Sequence, residues 1–269
     1  MIDLSIVIVS FNAAADLRRC LESIAAAPPR ASHEVVVVDN ASIDGSAEMA
    51  ARLPNVRVLR MPTNAGFAAA NNVGIRETSG LHVLLLNSDT IVPAGAIDRL
   101  LARIRGDASI GIVGPRLVDA AGRAELSFGS MLTPWTEWQR SRLARALARG
   151  DRSAVARVEA LTRREQTPDW VTGACLLVRR TDAEAVGLLD ERYFMYTEDV
   201  DFCAAIRRLG RRVLFVPDVE IVHLRGRSGA SAPGATRAAY ERSHLAFYEK
   251  HHPWLAAALR LFRAWRVRA

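Results

Sequence analysis

Lysine is all but missing from this chain: Lys250 is the only one among 269 residues, so arginine carries the net charge of +7. Such an excess calls for an anionic partner, whether a nucleotide, a membrane surface or nucleic acid. No nucleic-acid-binding motif is recognisable, which removes nucleic acid from the expected partners. Cysteine is scarce as well. Cys20, Cys175 and Cys203 are scattered among apolar neighbours, without the CxxC spacing of a metal site or the density of a disulfide framework. They read as buried thiols in a reducing compartment. No stretch reaches the roughly 18 apolar residues that a membrane span requires. The start, Met1 to Ser5, has no basic region ahead of its short apolar run, which argues against a signal peptide. Low-complexity tracts are absent and half of the residues are hydrophobic, so the chain is expected to fold as one large domain or two small ones.

What is present is an alternation of strands and helices. The β-branched run Leu4 to Val9 predicts a strand buried on both faces, ending in a turn at Ser10-Phe11-Asn12. Leu17, Cys20, Leu21 and Ile24 follow at helical spacing, and Pro28-Pro29 stops that helix. Val35 to Val38 predicts a second strand ending in Asp39-Asn40, then come a helix to about Leu53 and a third strand, Val56 to Leu59. Repetition of this kind predicts a mostly parallel α/β sheet flanked by helices, with ligands bound at the carboxyl ends of the strands. Asp39 and Ser10-Phe11-Asn12 occupy two such ends.

Further along, the loop from Asn64 through Gly66 to Asn71 opens a helix, and its amides are placed to approach a phosphate or sugar. The same residues are ordinary turn chemistry. Strand Val83 to Leu86 ends in Asn87-Ser88-Asp89, where Asp89 either ligates a divalent cation carrying a diphosphate or caps the next helix. Residues 134–166 break the pattern. Eight arginines fall between Arg140 and Arg164 against Asp151 and Glu159, predicting basic helices that either contact an anionic membrane or form a solvated face. After strands at Cys175 to Val178, Val213 to Val216 and Ile221 to Leu224, Arg225 and Arg227 sit in a glycine-bearing loop suited to a diphosphate. Residues 233–269 predict a C-terminal basic amphipathic extension with Trp254 and Trp265, either a membrane-surface segment or a plain packing helix.

The densest chemistry is Glu198-Asp199-Val200-Asp201, three acids at the start of a predicted helix that the helix dipole favours. Acids often cap helices, but these stand between acid-bearing strand ends upstream and His223 downstream, a combination that reads as a metal-and-base site.

The series Ser5-Ile6-Val7-Ile8-Val9-Ser10-Phe11-Asn12, Val38-Asp39-Asn40-Ala41-Ser42, Asn64-x-Gly66-Phe67 with Asn71-Asn72-x-Gly74, Leu86-Asn87-Ser88-Asp89, Gly173-Ala174, Glu198-Asp199-Val200-Asp201 and His223 resembles family 2 inverting glycosyltransferases of the GT-A fold, in the bacterial rhamnosyltransferase-like branch. The resemblance implies a catalytic domain over residues 1–232, interrupted by a helical insertion at 134–166 and followed by the helical tail. It implies a dTDP- or UDP-sugar donor, a saccharide or lipid-linked acceptor, and Mg²⁺ or Mn²⁺. Ser10, Phe11, Asn12, Asp39, Asn64, Gly66, Asn71, Asn87, Ser88, Arg225 and Arg227 are then expected at the nucleotide sugar. Asp89 and His223 are expected at the metal, and Asp199, with Glu198 second, as the base. The family's Asp-x-Asp position reads Asn87-Ser88-Asp89 here, with Asn87 in place of the first acid. A cytoplasmic enzyme touching the inner membrane face is the expected location. Two other classes compete: a non-catalytic nucleotide-sugar-binding module, and a nucleotidyltransferase. The latter needs a glycine-rich basic loop after the first strand, which Ser10-Phe11-Asn12-Ala13 does not supply.

Overall fold

The four N-terminal apolar runs become adjacent parallel strands: β1 (Leu4–Ser10), β2 (His33–Asp39), β3 (Val56–Arg60) and β4 (His82–Asn87), in the order β3-β2-β1-β4. Their crossovers carry α1 (Ala14–Ala26), α2 (Ser46–Ala51) and α3 (Phe67–Arg76). Because strand side chains alternate, Ile6, Ile8, Leu84 and Leu86 enter one core with Leu17 and Leu21 of α1. Val7, Val36, Val83 and Leu85 enter a second core on the opposite face with Ala68 and Ile75 of α3. The description comes from a computed structural model covering residues 1–224, 233–257 and 259–260. Arg225, Arg227 and residues 261–269, including Trp265, lie outside the described residues.

The remaining elements are β5 (Thr90–Ile91), α4 (Ala96–Gly106), β6 (Ile110–Val118), β7 (Ala124–Glu125), β8 (Phe128–Gly129), α5 (Pro134–Ala148), α6 (Arg152–Thr162), β9 (Trp170–Val171), β10 (Cys175–Arg179), α7 (Arg180–Ala185), α8 (Glu198–Arg208), β11 (Arg212–His223) and α9 (Pro233–His251). The sheet continues β4-β10-β6-β11-β5, with β10 antiparallel to both neighbours and β6 parallel to β11. Two expectations change here. Val213 to Val216 and Ile221 to His223 form one strand, β11, with a register shift between Val216 and Glu220. β6 is fully buried yet escapes a reading of apolar runs, because Gly111, Gly114 and Pro115 interrupt it. Packing requires Gly114: a Cβ there would meet the Val171 side chain at 2.7 Å.

The insertion is helical, as its spacing predicts. Thr133 and Thr136 form a reciprocal cap on α5, and Pro134 follows the cap. α6 is fastened by Val158 and by the Arg116 guanidinium, which donates to both Glu159 oxygens and pairs with Glu220. α5, by contrast, buries none of its residues. The expected boundary near residue 232 has no counterpart in the packing. Phe247, Tyr248 and Ala256 are buried in the second core, so the described part of the tail is a wall of the domain. Ion pairs lock it there: Asp201 accepts from His251 and Lys250, and Glu137 of α5 from His244 and Tyr248. Among the described residues no helix is long and apolar enough to cross a membrane.

Candidate active site

The start of α8 is held in an unusual backbone. Tyr196 and Thr197 both have positive φ, 73° and 67°, a conformation that costs a side-chain-bearing residue about 1–2 kcal/mol. The segment is fixed from behind by the Asn64-Gly66 loop. The Phe67 amide donates to the Phe194 carbonyl at 2.7 Å, and a Cβ on Gly66 would lie 2.2 Å from that same oxygen. Glycine at position 66 is therefore a requirement of close approach as well as of its φ of 89°.

Held this way, Asp199 accepts from the Gly173 amide at Oδ2 (2.9 Å) and from the Val200 amide at Oδ1 (2.8 Å). Burial pushes its carboxyl above the ordinary value, against those two N–H bonds and the charge of Arg140. Glu198 is buried more deeply, and its Oε2 has no hydrogen-bond partner. Burial first, and the neighbouring Asp199 charge second, raise it well above the usual carboxylate range. Two adjacent acids thus differ in setting: Asp199 is aimed and hydrogen-bonded, while Glu198 is desolvated. Asp201 faces away, tied to α9.

On the strand-end side, His223 closes β11 between two carboxylates. Its Nε2 lies 3.3 Å from Asp89 Oδ1 and its Nδ1 lies 3.2 Å from Glu125 Oε2. Burial alone would lower the imidazole pKa; the bonds to Asp89 and Glu125 more than reverse that and hold it at about 9. The pair Asp89 and His223 offers one oxygen and one nitrogen to a divalent cation, with Glu125 orienting the ring through its other nitrogen. Among the described residues no cluster of three or more His, Cys, Asp or Glu is assembled for a metal. This donor set fits Mg²⁺ or Mn²⁺ that takes its other ligands from a diphosphate and water. One cavity of about 1240 Å³ is lined by Asn87, Asp89, His223, Glu198 and Asp199 together.

The chain is similar to known proteins in sequence and in fold. Residues 5–165 match the profile described as Glycosyl transferase family 2. The chain is similar to an N-acetylglucosaminyl-diphospho-decaprenol L-rhamnosyltransferase of Mycobacterium tuberculosis, 32% identical over 96% of this chain and 88% of that protein. The chain belongs to glycosyl transferase family 2. A low-salt glycan biosynthesis hexosyltransferase of Haloferax volcanii is 26% identical over 82% of this chain and 67% of its own. In fold, this glycosyltransferase resembles a mannosyltransferase of Pyrobaculum calidifontis solved with GDP-Man and Mn²⁺ (TM-score 0.62, 20% identity), covering 92% of this chain and 63% of that one. The sheet is accordingly of the GT-A type. Membership of an enzyme family sets aside both the non-catalytic module and the nucleotidyltransferase.

The remaining expected residues of the glycosyltransferase fall into two groups, both outside the lining of that cavity. Ser10 and Asp39 are register partners at the ends of β1 and β2, and Ser10 Oγ and Asp39 Oδ1 are both buried without a hydrogen-bond partner. Phe11 is exposed beside them, and Asn12 shapes the turn, its Oδ1 accepting from the Ile43 amide. Ser88 is buried between Asn87 and Asp89. Asn64, Gly66 and Asn71 serve the loop itself. The amides of Ala65, Gly66 and Phe67 are taken by Asn40, Asn64 and Phe194, and the Asn71 amide donates to the Phe67 carbonyl. The expected open phosphate cradle is thus a brace for the acidic turn.

Several cavity residues carry no signal in the sequence. Glu125 stands on a two-residue strand, and Arg140, Trp170, Tyr240 and His244 reach the site from the insertion, from β9 and from the tail. Only the arginine richness of 140–164 hinted at one of them.

Proposed function

We propose that this glycosyltransferase moves a hexose, rhamnose in the first instance, from a dTDP- or UDP-sugar to a lipid-linked saccharide with inversion at the anomeric carbon. The observation that carries the reading is that Asp199 lines the same cavity as the Asp89–His223 pair. Asp199, fixed by two backbone amides, takes the proton of the acceptor hydroxyl as that oxygen bonds to the anomeric carbon and the bond to the diphosphate breaks. Asp89 and His223 would hold Mg²⁺ or Mn²⁺, which when bound neutralises the departing diphosphate. Ser10 and Asp39, with buried polar atoms awaiting partners, suit the nucleoside, and Asn87 suits the ribose side of the cation site. The rhamnose and lipid-linked elements draw on the name of the mycobacterial relative.

A panel of nucleotide sugars, screened by thermal shift with and without Mn²⁺, tests the donor. At 100-fold excess over Kd a ligand adds about 2.7 kcal/mol. dTDP- or UDP-sugars are expected to raise Tm in the presence of the cation; a panel in which no nucleotide sugar does so overturns the assignment.

Contact with an anionic membrane face belongs to the same reading. Trp135 and Trp138 of α5 are 62% and 44% exposed and stacked on each other, among arginines. Interfacial tryptophans and basic residues, each of the latter worth about 1 kcal/mol near an anionic surface, suit reversible attachment. The protein is expected to sediment with phosphatidylglycerol vesicles at low salt and to be released by high salt, with the double variant Trp135→Ala/Trp138→Ala binding about tenfold more weakly. Indifference to vesicles at low salt removes the membrane from the account.

A further inference from the structure

We propose that α5 carries the acceptor subsite, which receives a polyisoprenyl diphosphate-linked saccharide with its diphosphate at Arg140 and its first isoprene units in a groove behind the helix. The inference rests on the lipid-linked reading above and locates it on residues.

α5 is a partition. One side, with Glu137, Arg140, Ser141 and Ala144, lines the cavity that contains Asp199. The other side lines a second groove of about 700 Å³ between α5, α6 and β8. The two spaces meet at Arg140 and Leu126, which line both. At that junction the Arg140 guanidinium lies over the Trp170 ring, 4.3 Å from its centroid, and its charge is felt by Asp199. A guanidinium carries its N–H donors in one plane, a fork that matches phosphate oxygens.

Beyond Arg140 the groove is lined by apolar and aromatic side chains together with Gln139, Asp151, Ser153 and Arg157. Phe128, Trp135, Trp138, Leu143 and Leu161 line it, and Arg142 caps the Trp138 ring at 4.7 Å. A helix of 15 residues that buries none of them, while presenting two tryptophans, leaves apolar surface for an occupant to cover. The order of chemistry along the partition is carboxylate, guanidinium, then hydrocarbon-binding groove. A saccharide diphosphate on an isoprenoid has the same order: a hydroxyl for the base, an anion, then a chain. A soluble saccharide would use the first cavity alone.

The test measures steady-state transfer by the full chain from dTDP-rhamnose to two acceptors, N-acetylglucosaminyl diphosphates bearing a geranyl or a decaprenyl chain. Arg140→Gln is expected to raise KM for both acceptors by about 10- to 100-fold, the range of a lost charge-assisted hydrogen bond, with donor KM unchanged. Arg140→Lys restores part of that loss. Leu143→Asp, on a helix without buried residues, is expected to raise KM for the decaprenyl acceptor about tenfold and to erase any preference over geranyl. Acceptor KM values in Arg140→Gln and Leu143→Asp that match the unaltered enzyme overturn the subsite while leaving the lipid-linked reading intact. A shift in donor KM equal to that in acceptor KM also overturns it, because Arg140 would then serve the nucleotide sugar. An unaltered enzyme that uses neither lipid diphosphate, yet glycosylates a soluble saccharide, overturns both.

Discussion

Asp199→Asn is expected to lower transfer by about 10²- to 10⁴-fold, the usual size of a lost general base, with nucleotide-sugar affinity little changed. The expectation follows from how Asp199 is held. Both of its oxygens accept backbone N–H groups, so a carboxylate is aimed without side-chain mobility. Asparagine presents an NH₂ group to one of those donors, so a thermal melt must accompany the rate measurement to separate misfolding from lost chemistry. The pH dependence has a definite sign. A base acts when ionised, and burial raises this carboxyl above the ordinary aspartate value of 3.8, so kcat/KM should rise as pH climbs through the raised value. The acid limb should be absent from any residual activity of Asp199→Asn. Near-normal turnover in that variant, together with loss in Glu198→Gln, would transfer the role to Glu198.

The strand ends were legible because they obey simple rules. β1, β2 and β4 are continuous β-branched or leucine runs buried on both faces, and each ends in a polar residue held at the ligand edge. The acidic helix start was legible as the first turn of α8, where the helix dipole favours negative charge. β6 was hidden because its glycines answer to neighbours far away in sequence: Gly111 to Ile206 and Gly114 to Val171. The close approach at Gly66 was hidden on the same ground. Its sequence context fits an anion cradle, but its partner is the Phe194 carbonyl, more than a hundred residues away. Glu125 lay beyond reach because a two-residue strand leaves no periodicity to read, and Arg140 because α5, legible as a helix, buries no residue that would mark which side lines the cavity. For the tail, composition left a membrane-surface segment and a packing helix both open; Phe247 and the Asp201–His251 pair dock its described part onto the core, while Arg263, Trp265, Arg266 and Arg268 lie outside the described residues.

The affinity for Mg²⁺ in the presence of UDP or dTDP is expected to rise about tenfold per pH unit between about pH 6.5 and about pH 9, and then to level off. In the metal-free fold His223 bridges Asp89 and Glu125, and those bonds raise its pKa from 6.5 to about 9. A cation ligand must be a neutral imidazole, so binding near neutrality displaces one proton, and less protonation at higher pH removes that competition. The stability of the metal-free protein runs in the opposite direction. A raised histidine pKa contributes stability that is fully present below 6.5 and is lost as pH rises through about 9. Isothermal titration in buffers of different ionisation enthalpy counts the proton directly. Asp89→Ala and His223→Ala should each weaken nucleotide binding about 10²-fold with Mg²⁺ present and leave it unchanged in a chelator. An affinity that is flat with pH and releases no proton means that the cation does not use His223. An equal loss with and without metal means that Asp89 contacts the nucleotide itself.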